Sequence, residues 1–236
     1  MQFNDVSGET GIVQDVWFLT NTDSTSFTLK NIARITNKVV HKLGLLAWKS
    51  DRSWNFDDSS KTDMPTATTT LVDDQEDYSL ATTVFDVKRV EVKDSGGDWY
   101  KLRLRRIEDI GTSITEYQET KGLPTEYFLE GHSIRLKPAP DTSKVTASAG
   151  LRIWTSRDAT EFVSTDTTKK PGFPTPFHSL VALEVALEYA AINSLQDKVG
   201  YLAPKVAEGE AAFINYFANR GGEFKNTIHT RTINYE

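Results

Sequence analysis

The four histidines, His41, His132, His178 and His229, fall in different segments, and no pair has the four-residue spacing of two ligands on one helix face. The chain has no cysteine, which excludes disulfide frameworks, thiol catalysis, iron–sulfur clusters and zinc sites built on thiolates. No metal and no cofactor are expected. Asp51, Ser53, Asn55 and Asp57 match the odd positions of a calcium loop. Phe56 stands where that loop needs glycine and Thr62 where it needs a bidentate glutamate, so a solvated acidic loop is the better reading. Glu116, Glu119 and Glu126 are carboxylates of the kind that act in pairs on a glycosidic bond. With 33 acidic residues such pairs arise by chance, and a charged surface explains them as well. Gly131-His132-Ser133 lacks the second glycine and the strand-to-helix context of a nucleophile elbow, and reads as a hairpin turn. No phosphate-binding loop, dinucleotide fingerprint or kinase signature is present. No catalytic residue is assigned, and the protein is expected not to be an enzyme.

One concentrated basic patch stands out. Lys101, Arg103 and Arg105 alternate, joined by Arg106, so on a strand three cations would share one face. That face would suit phosphate on packaged DNA or a carboxylate-rich partner. Because only Trp99 accompanies it as an aromatic, a solvated or subunit-facing strand is the plainer reading.

The elements that must carry these residues follow from patterning. At 236 residues the chain holds one large domain or two small ones. Its 27 basic against 33 acidic residues give a charge of −6, unlike the broad basic footprint of a dedicated duplex-DNA binder. The apolar stretches near residues 43–48 and 180–187 are broken by Gly44 and Glu184 and fall far short of the roughly 20 residues of a bilayer span. The N-terminus lacks the basic and apolar regions of a signal peptide, so the chain is expected to stay in the compartment where it is made.

Residues 10–19 form a short amphipathic run. Ser24, Thr25 or Ser26 is then positioned to cap a helix over residues 27–48, whose stripe is Ile32, Ile35, Val39, Leu43 and Leu46. Lys30, Arg34, Lys38 and Lys42 fall off that stripe. Residues 49–70 read as a long polar loop. From about residue 66 to 157 the texture is strand-like: Val90 and Val92 oppose Arg89, Glu91 and Lys93, and Asp94-Ser95-Gly96-Gly97 reverses a hairpin. The return strand over residues 98–106 would place Tyr100, Leu102 and Leu104 on one face and Trp99, Lys101, Arg103 and Arg105 on the other. Further strands are expected at 126–129, 133–137 and 150–155, making a small antiparallel sandwich or barrel. Thr175 is then a candidate N-cap with Pro176 at the first helical position. A helix over 177–195, apolar round much of its girth, and a second one stopped by Gly221-Gly222 form a helical hairpin.

The pattern divides the chain into residues 1–65 (helices and loop), 66–157 (inserted β lobe), 158–222 (Pro-rich loop and hairpin) and 223–236. The fold class is α+β: a helical bundle with an inserted antiparallel β-sandwich or barrel lobe and an extended C-terminal arm. The arm is rich in Ile and Thr and would span roughly 45 Å at about 3.3 Å per residue, enough to cross onto a neighbouring chain.

Residues 123–141, Leu-Pro-Thr-Glu-Tyr-Phe-Leu-Glu-Gly-His-Ser-Ile-Arg-Leu-Lys-Pro-Ala-Pro-Asp, resemble the aromatic strand, glycine turn, hydrophobic strand and Pro-x-Pro segment of head-to-tail connector proteins of tailed bacteriophages, also called adaptor or head completion proteins. Tyr78-Ser79-Leu80, the strand at 87–92, Leu151-Arg152-Ile153-Trp154-Thr155 and the Pro174-Thr175-Pro176-Phe177 loop match the neighbouring elements in order. The resemblance covers roughly residues 10–220, and the tail matches by position.

The resemblance implies a structural virion protein of the neck, made in the host cytoplasm. It would form a homo-oligomer, a dodecameric ring below the portal that continues the DNA channel and presents a surface to the tail or next neck protein. Packaged DNA would pass without sequence-specific contact. Phe224, Ile228, His229, Arg231, Ile233 and Tyr235 would belong to a portal-binding arm. Phe177, Leu180, Leu183 and Leu187 would lie on a helix facing a neighbouring subunit. Two other readings stand beside it. One is a cell-wall or carbohydrate-binding or -degrading virion accessory, with Trp99, Tyr100, Tyr127 and Trp154 as a sugar platform. The other is a tail-tube or tail-terminator component.

Overall fold

The computed structural model describes residues 1–51, 66–106, 108 and 121–220. The fold is α+β, and the chain divides into two units, Met1–Ser60 with Ala159–Glu236, and Lys61–Asp158.

The first unit is helical. Helix α1 (Ile12–Thr20) buries Ile12, Val13 and Val16 and ends at Asn21, which is left-handed at φ 60°. Helix α2 (Leu29–Ser50) is capped by Thr28, whose side chain accepts from the Asn31 amide. The expected capping by Ser24, Thr25 or Ser26 does not occur. Asp23 Oδ1 instead gathers the amides of Thr25 and Ser26 and the Ser26 hydroxyl, closing the turn one step earlier. Ile32, Ile35, Val39 and Leu43 are buried as their spacing requires. Helix α3 (His178–Ile192) follows a 3-10 turn at Thr175–Phe177, and no side chain caps it. Thr175 therefore sits inside the turn and not at a cap. Three residues further on, past the left-handed Ser194, helix α4 (Gln196–Arg220) turns back along α3 with Pro204 in its interior.

The core of this unit joins α1, α2, α3 and α4 with Phe3, Phe162 and Phe173 from the connecting segments. Phe3 is wholly buried and stacks on Phe162 with centroids 5.1 Å apart. Helix α3 is enclosed by α1, α2 and α4 of its own chain, and Leu180, Val181, Val185 and Ala186 are buried there. Its wide apolar girth is thus largely satisfied without a second subunit.

The second unit is built on short strands, ten of them among the described residues. β1 (Thr66–Thr69), β10 (Leu151–Arg157), β3 (Val84–Lys93) and β4 (Trp99–Lys101) form one antiparallel sheet in the order β1-β10-β3-β4. A second sheet has the order β2-β8-β7-β5, from β2 (Asp77–Ser79), β8 (Ser133–Lys137), β7 (Glu126–Glu130) and β5 (Arg103–Leu104). A small pair, β6 (Lys121–Gly122) with β9 (Ala139–Pro140), accompanies them. Val90, Val92, Leu151 and Ile153 from the first sheet meet Tyr78, Tyr127, Ile134 and Leu136 from the second in one core.

Of the sandwich and barrel alternatives no closed barrel forms among the described strands, and beside the expected antiparallel ladders β5–β7 and β6–β9 pair in parallel. One expectation needs correction. The predicted strand over residues 98–106 is broken at Leu102, where the chain leaves one sheet for the other. Leu102 turns its side chain into the core at 2% exposure and donates its amide to the Val90 carbonyl. The face shared by Tyr100, Leu102 and Leu104 does not exist, since Tyr100 and Leu104 are both exposed.

Candidate functional site

Alternation along β3 sends Val90 and Val92 into the core and Arg89, Glu91 and Lys93 outward. The register places Arg152 of β10 opposite Glu91, Trp154 opposite Arg89, and Trp99 of β4 opposite Lys93. Since directly opposed residues share a face, charge and aromatic rings converge on the outer side of the four-stranded sheet. The Arg152 guanidinium carbon lies 4.0 Å from the centroid of Trp99 and 4.5 Å from that of Trp154. Arg89 lies 5.7 Å from the Trp154 ring and Lys93 5.8 Å from the Trp99 ring. These distances fall in the cation–π range, and the rings hold the cations in place.

Glu91 organises this face. Arg89 Nε donates to its Oε1 at 2.5 Å, and Arg152 donates to its Oε2 from Nε at 2.9 Å and from Nη2 at 2.5 Å. The carboxylate is buried beneath the two guanidiniums. Lys101, opposite Glu91 on β4, is exposed and has no ion pair among the described residues. Two guanidiniums thus hold the single carboxylate, Lys93 and Lys101 share its face, and these five side chains together carry a net positive charge.

The predicted basic residues divide between the sheets. Lys101 stays on this face, while Arg103 on β5 and Arg105 just past its end bond their amides to the carbonyls of Thr125 and Tyr127. Arg105 Nε pairs with Glu126 Oε1 at 2.8 Å. Arg103 and Arg106 are exposed. The single strand face that alternation predicts for Lys101, Arg103 and Arg105 is not formed. Arg89, Arg152 and Glu91 were missed as site residues. The Arg89/Glu91/Lys93 and Arg152/Trp154 alternations were the available signal, but the register that unites them is a tertiary fact.

The aromatic platform expected for sugar does not assemble either. Tyr127 is 5% exposed in the core, Tyr100 points away from the Trp99 face, and the rings of Trp99 and Trp154 are covered by Arg152.

In the helical unit two of the lysines off the α2 stripe, Lys38 and Lys42, have definite partners. Lys42 Nζ reaches Glu184 Oε2 of α3 at 2.9 Å and Glu210 Oε1 of α4 at 2.5 Å, and Lys38 Nζ reaches Glu188 Oε1 at 2.9 Å. Glu184 is buried, which pushes its carboxyl above the usual range against the pull of Lys42. The other oxygen, Oε1, has no hydrogen-bond partner.

His178 is buried at the start of α3. Its Nδ1 accepts from the Met1 ammonium at 2.7 Å, so Nε2 carries the proton donated to the Phe173 carbonyl at 2.8 Å. Burial depresses its basicity, with the nearby ammonium adding to the effect. His132 Nε2 bonds the Ala81 carbonyl, and His41 lies 3.9 Å from Glu161. Among the described residues no three histidine or carboxylate side chains converge as a metal site would need. No described helix is long and apolar enough to cross a membrane.

On the expected subunit-facing helix, Leu180 is enclosed by its own chain at 3% exposure, so it has no surface to offer. Phe177, Leu183 and Leu187 are half-buried. The arm residues Phe224, Ile228, His229, Arg231, Ile233 and Tyr235 lie outside the described residues, as do Glu116, Glu119 and most of the calcium-like loop.

Compared with known proteins, residues 22–231 match the family model described as SU10 adaptor protein. No curated protein matches the chain.

Proposed function

Because this chain belongs to the SU10 adaptor protein family, whose members are phage head–tail adaptors, we propose that it is a structural, non-enzymatic ring component that docks under the portal. In this reading it continues the DNA channel and offers the attachment surface for the tail or the next neck protein. The observation that carries the reading is the extent of the family match. It runs through both units and into the C-terminal tail.

The proposed parts follow the chemistry of the chain. The arm, with Phe224, Ile228, His229, Arg231, Ile233 and Tyr235, is proposed to bind the portal by adding an extended segment to a strand or groove, where β-branched residues are favoured. The half-buried Phe177, just before α3, and Leu183 and Leu187 on it are proposed as the part that a neighbouring copy covers, in the closed dodecameric ring that the resemblance implies. Lys101, Arg103, Arg105 and Arg106, divided between two sheets, are proposed to face packaged DNA or a partner chain, and the −6 overall charge would keep DNA from adhering elsewhere.

The test is to mix the purified protein with its portal and follow complex formation by native mass measurement. A complex is expected with the full chain, and its loss on deleting residues 223–236 or in Ile228→Asp/Ile233→Asp. Failure of the full chain to bind removes the docking proposal, and wild-type affinity of the Ile→Asp variant removes the arm as anchor.

A further inference from the structure

The β lobe carries two surfaces of opposite charge. One is the outer face of the β1-β10-β3-β4 sheet, where Lys101, Lys93 and Arg89 stand beside the Trp99 and Trp154 rings. The other is the turn Val72-Asp73-Asp74-Gln75-Glu76-Asp77, which leads into β2 of the sheet across the core.

That turn is rigid. The Gln75 amide closes on the Val72 carbonyl at 3.2 Å, Asp74 sits at its tip in the left-handed region with φ 61°, and its amide bonds the Pro140 carbonyl at 2.8 Å. The Val72 amide is fixed by the Tyr78 hydroxyl at 3.1 Å. Two of the four carboxylates are used locally, Asp73 by Lys121 and Glu76 by Lys137. Asp74 and Asp77 are exposed and have no ion pair among the described residues, and Val72 beside them is 49% exposed. The turn thus presents two exposed carboxylates without a contact ion pair among the described residues, Asp74 within the field of Lys121, and an apolar side chain on a hydrogen-bonded backbone.

The sheet face is its chemical complement. Its arginines are engaged with Glu91 and the tryptophan faces, which among the described residues leaves Lys101 without an ion pair and Lys93 with the Trp99 ring as its side-chain partner. Arginine and tryptophan locked against each other lose little side-chain freedom when a partner arrives, the usual make-up of a binding hot spot. The covered rings leave no open platform on which a base could stack, which favours a protein partner over single-stranded nucleic acid.

We propose that the basic sheet face of one copy receives the acidic turn, residues 72–77, of a second copy of this chain. The two surfaces belong to different sheets of one lobe, so a single copy cannot bring them together. A contact between unlike surfaces is head-to-tail and closes a ring when the rotation allows. This inference deepens the ring reading proposed above and supplies it with a lobe-to-lobe contact.

The experiment uses the full-length protein with two charge-reversed variants, Lys93→Glu/Lys101→Glu and Asp74→Lys/Asp77→Lys, which leave the Glu91 clamp intact. Sedimentation and native mass measurements across a concentration series are expected to show a wild-type oligomer. Each variant alone should associate at least tenfold more weakly, and mixing the two should restore a mixed oligomer. Circular dichroism and melting confirm that each variant is folded. An oligomer unchanged in both variants overturns the lobe contact while leaving the ring standing. A wild type that is monomeric at every concentration overturns the contact, and portal binding of that monomer then decides separately whether the docking reading survives. Binding of a short DNA duplex that is lost in Lys93→Glu/Lys101→Glu, with oligomerisation untouched, overturns the contact in favour of a phosphate-binding face.

Discussion

Arg152 closes on Glu91 across the β10–β3 register with two donors to one carboxylate oxygen, Nε at 2.9 Å and Nη2 at 2.5 Å. Arg89 holds the other oxygen, so a buried charge is fully partnered and the two tryptophan rings clamp the guanidinium that does most of the pairing. Such a pair adds little net stability over an apolar replacement, but breaking half of it strands a buried charge.

Arg152→Ala is therefore expected to lower the unfolding free energy by roughly 2–3 kcal/mol, somewhat under the about 3–5 kcal/mol of a pair broken outright because Arg89 remains. Arg152→Lys should recover only a minor part of this. An ammonium has neither the planar fork nor the flat face that stacks between Trp99 and Trp154. Urea denaturation of the three proteins checks both statements, and a lysine variant as stable as wild type would refute the stacking argument.

Gly209 allows α4 to approach α3. A Cβ there would come 2.7 Å from Leu180 Cδ1, which is itself buried. Alanine in place of a helical glycine ordinarily gains about 1 kcal/mol, but overpacking costs about 1–3 kcal/mol, so Gly209→Ala should destabilise the wild-type chain. In a Leu180→Ala background the new methyl enters the vacated space and the same substitution should stabilise. The reversal of sign in a double-mutant cycle is the readout.

Gly150 has no comparable escape. A Cβ at this position would lie 1.7 Å from the Thr146 carbonyl oxygen, an atom of the backbone. Gly150→Ala should cost more than Gly209→Ala and disturb the entry to β10, visible as a lower melting temperature.

His178 makes stability depend on pH in one direction. Burial holds its folded pKa below the ordinary value of 6.5, so in acid the unfolded chain binds a proton that the folded chain refuses. Its contribution is complete above about pH 6.5 and declines as the pH falls from there toward the folded value. His178→Gln, which keeps a donor for the Phe173 carbonyl, should flatten this part of the stability–pH curve.

Glu184 acts in the opposite sense. Burial raises its pKa above 4.5, so its favourable contribution is present below that value and is lost as the pH rises through the folded pKa. Glu184→Gln should gain stability relative to wild type as the pH is raised above about 4.5. A difference between the two proteins that does not vary with pH would show that the buried carboxyl does not titrate abnormally.

Much of the fold was determined by local sequence. The periodicity of Ile32, Ile35, Val39 and Leu43 defines α2, β8 occupies the predicted residues 133–137, and the glycine turns at Gly97 and Gly131 reverse the chain with positive φ. Each depends on neighbours a few residues away, where apolar spacing and backbone sterics leave little choice. What the sequence could not determine were relations between distant residues. Alternation over residues 98–106 is a valid local pattern, yet Leu102 must fill the core shared by two sheets, and that demand breaks the strand and divides its cations. Lys42 appears from sequence as one more cation on a polar face, and only the packing of α2 against α3 and α4 places it between Glu184 and Glu210. The joining of Glu91 with Arg152, 61 positions along the chain, depends on strand register. A slip of a single residue would send Arg152 into the core and Ile153 to the surface, so the burial of the whole sheet fixes the site, and no local signal carries it.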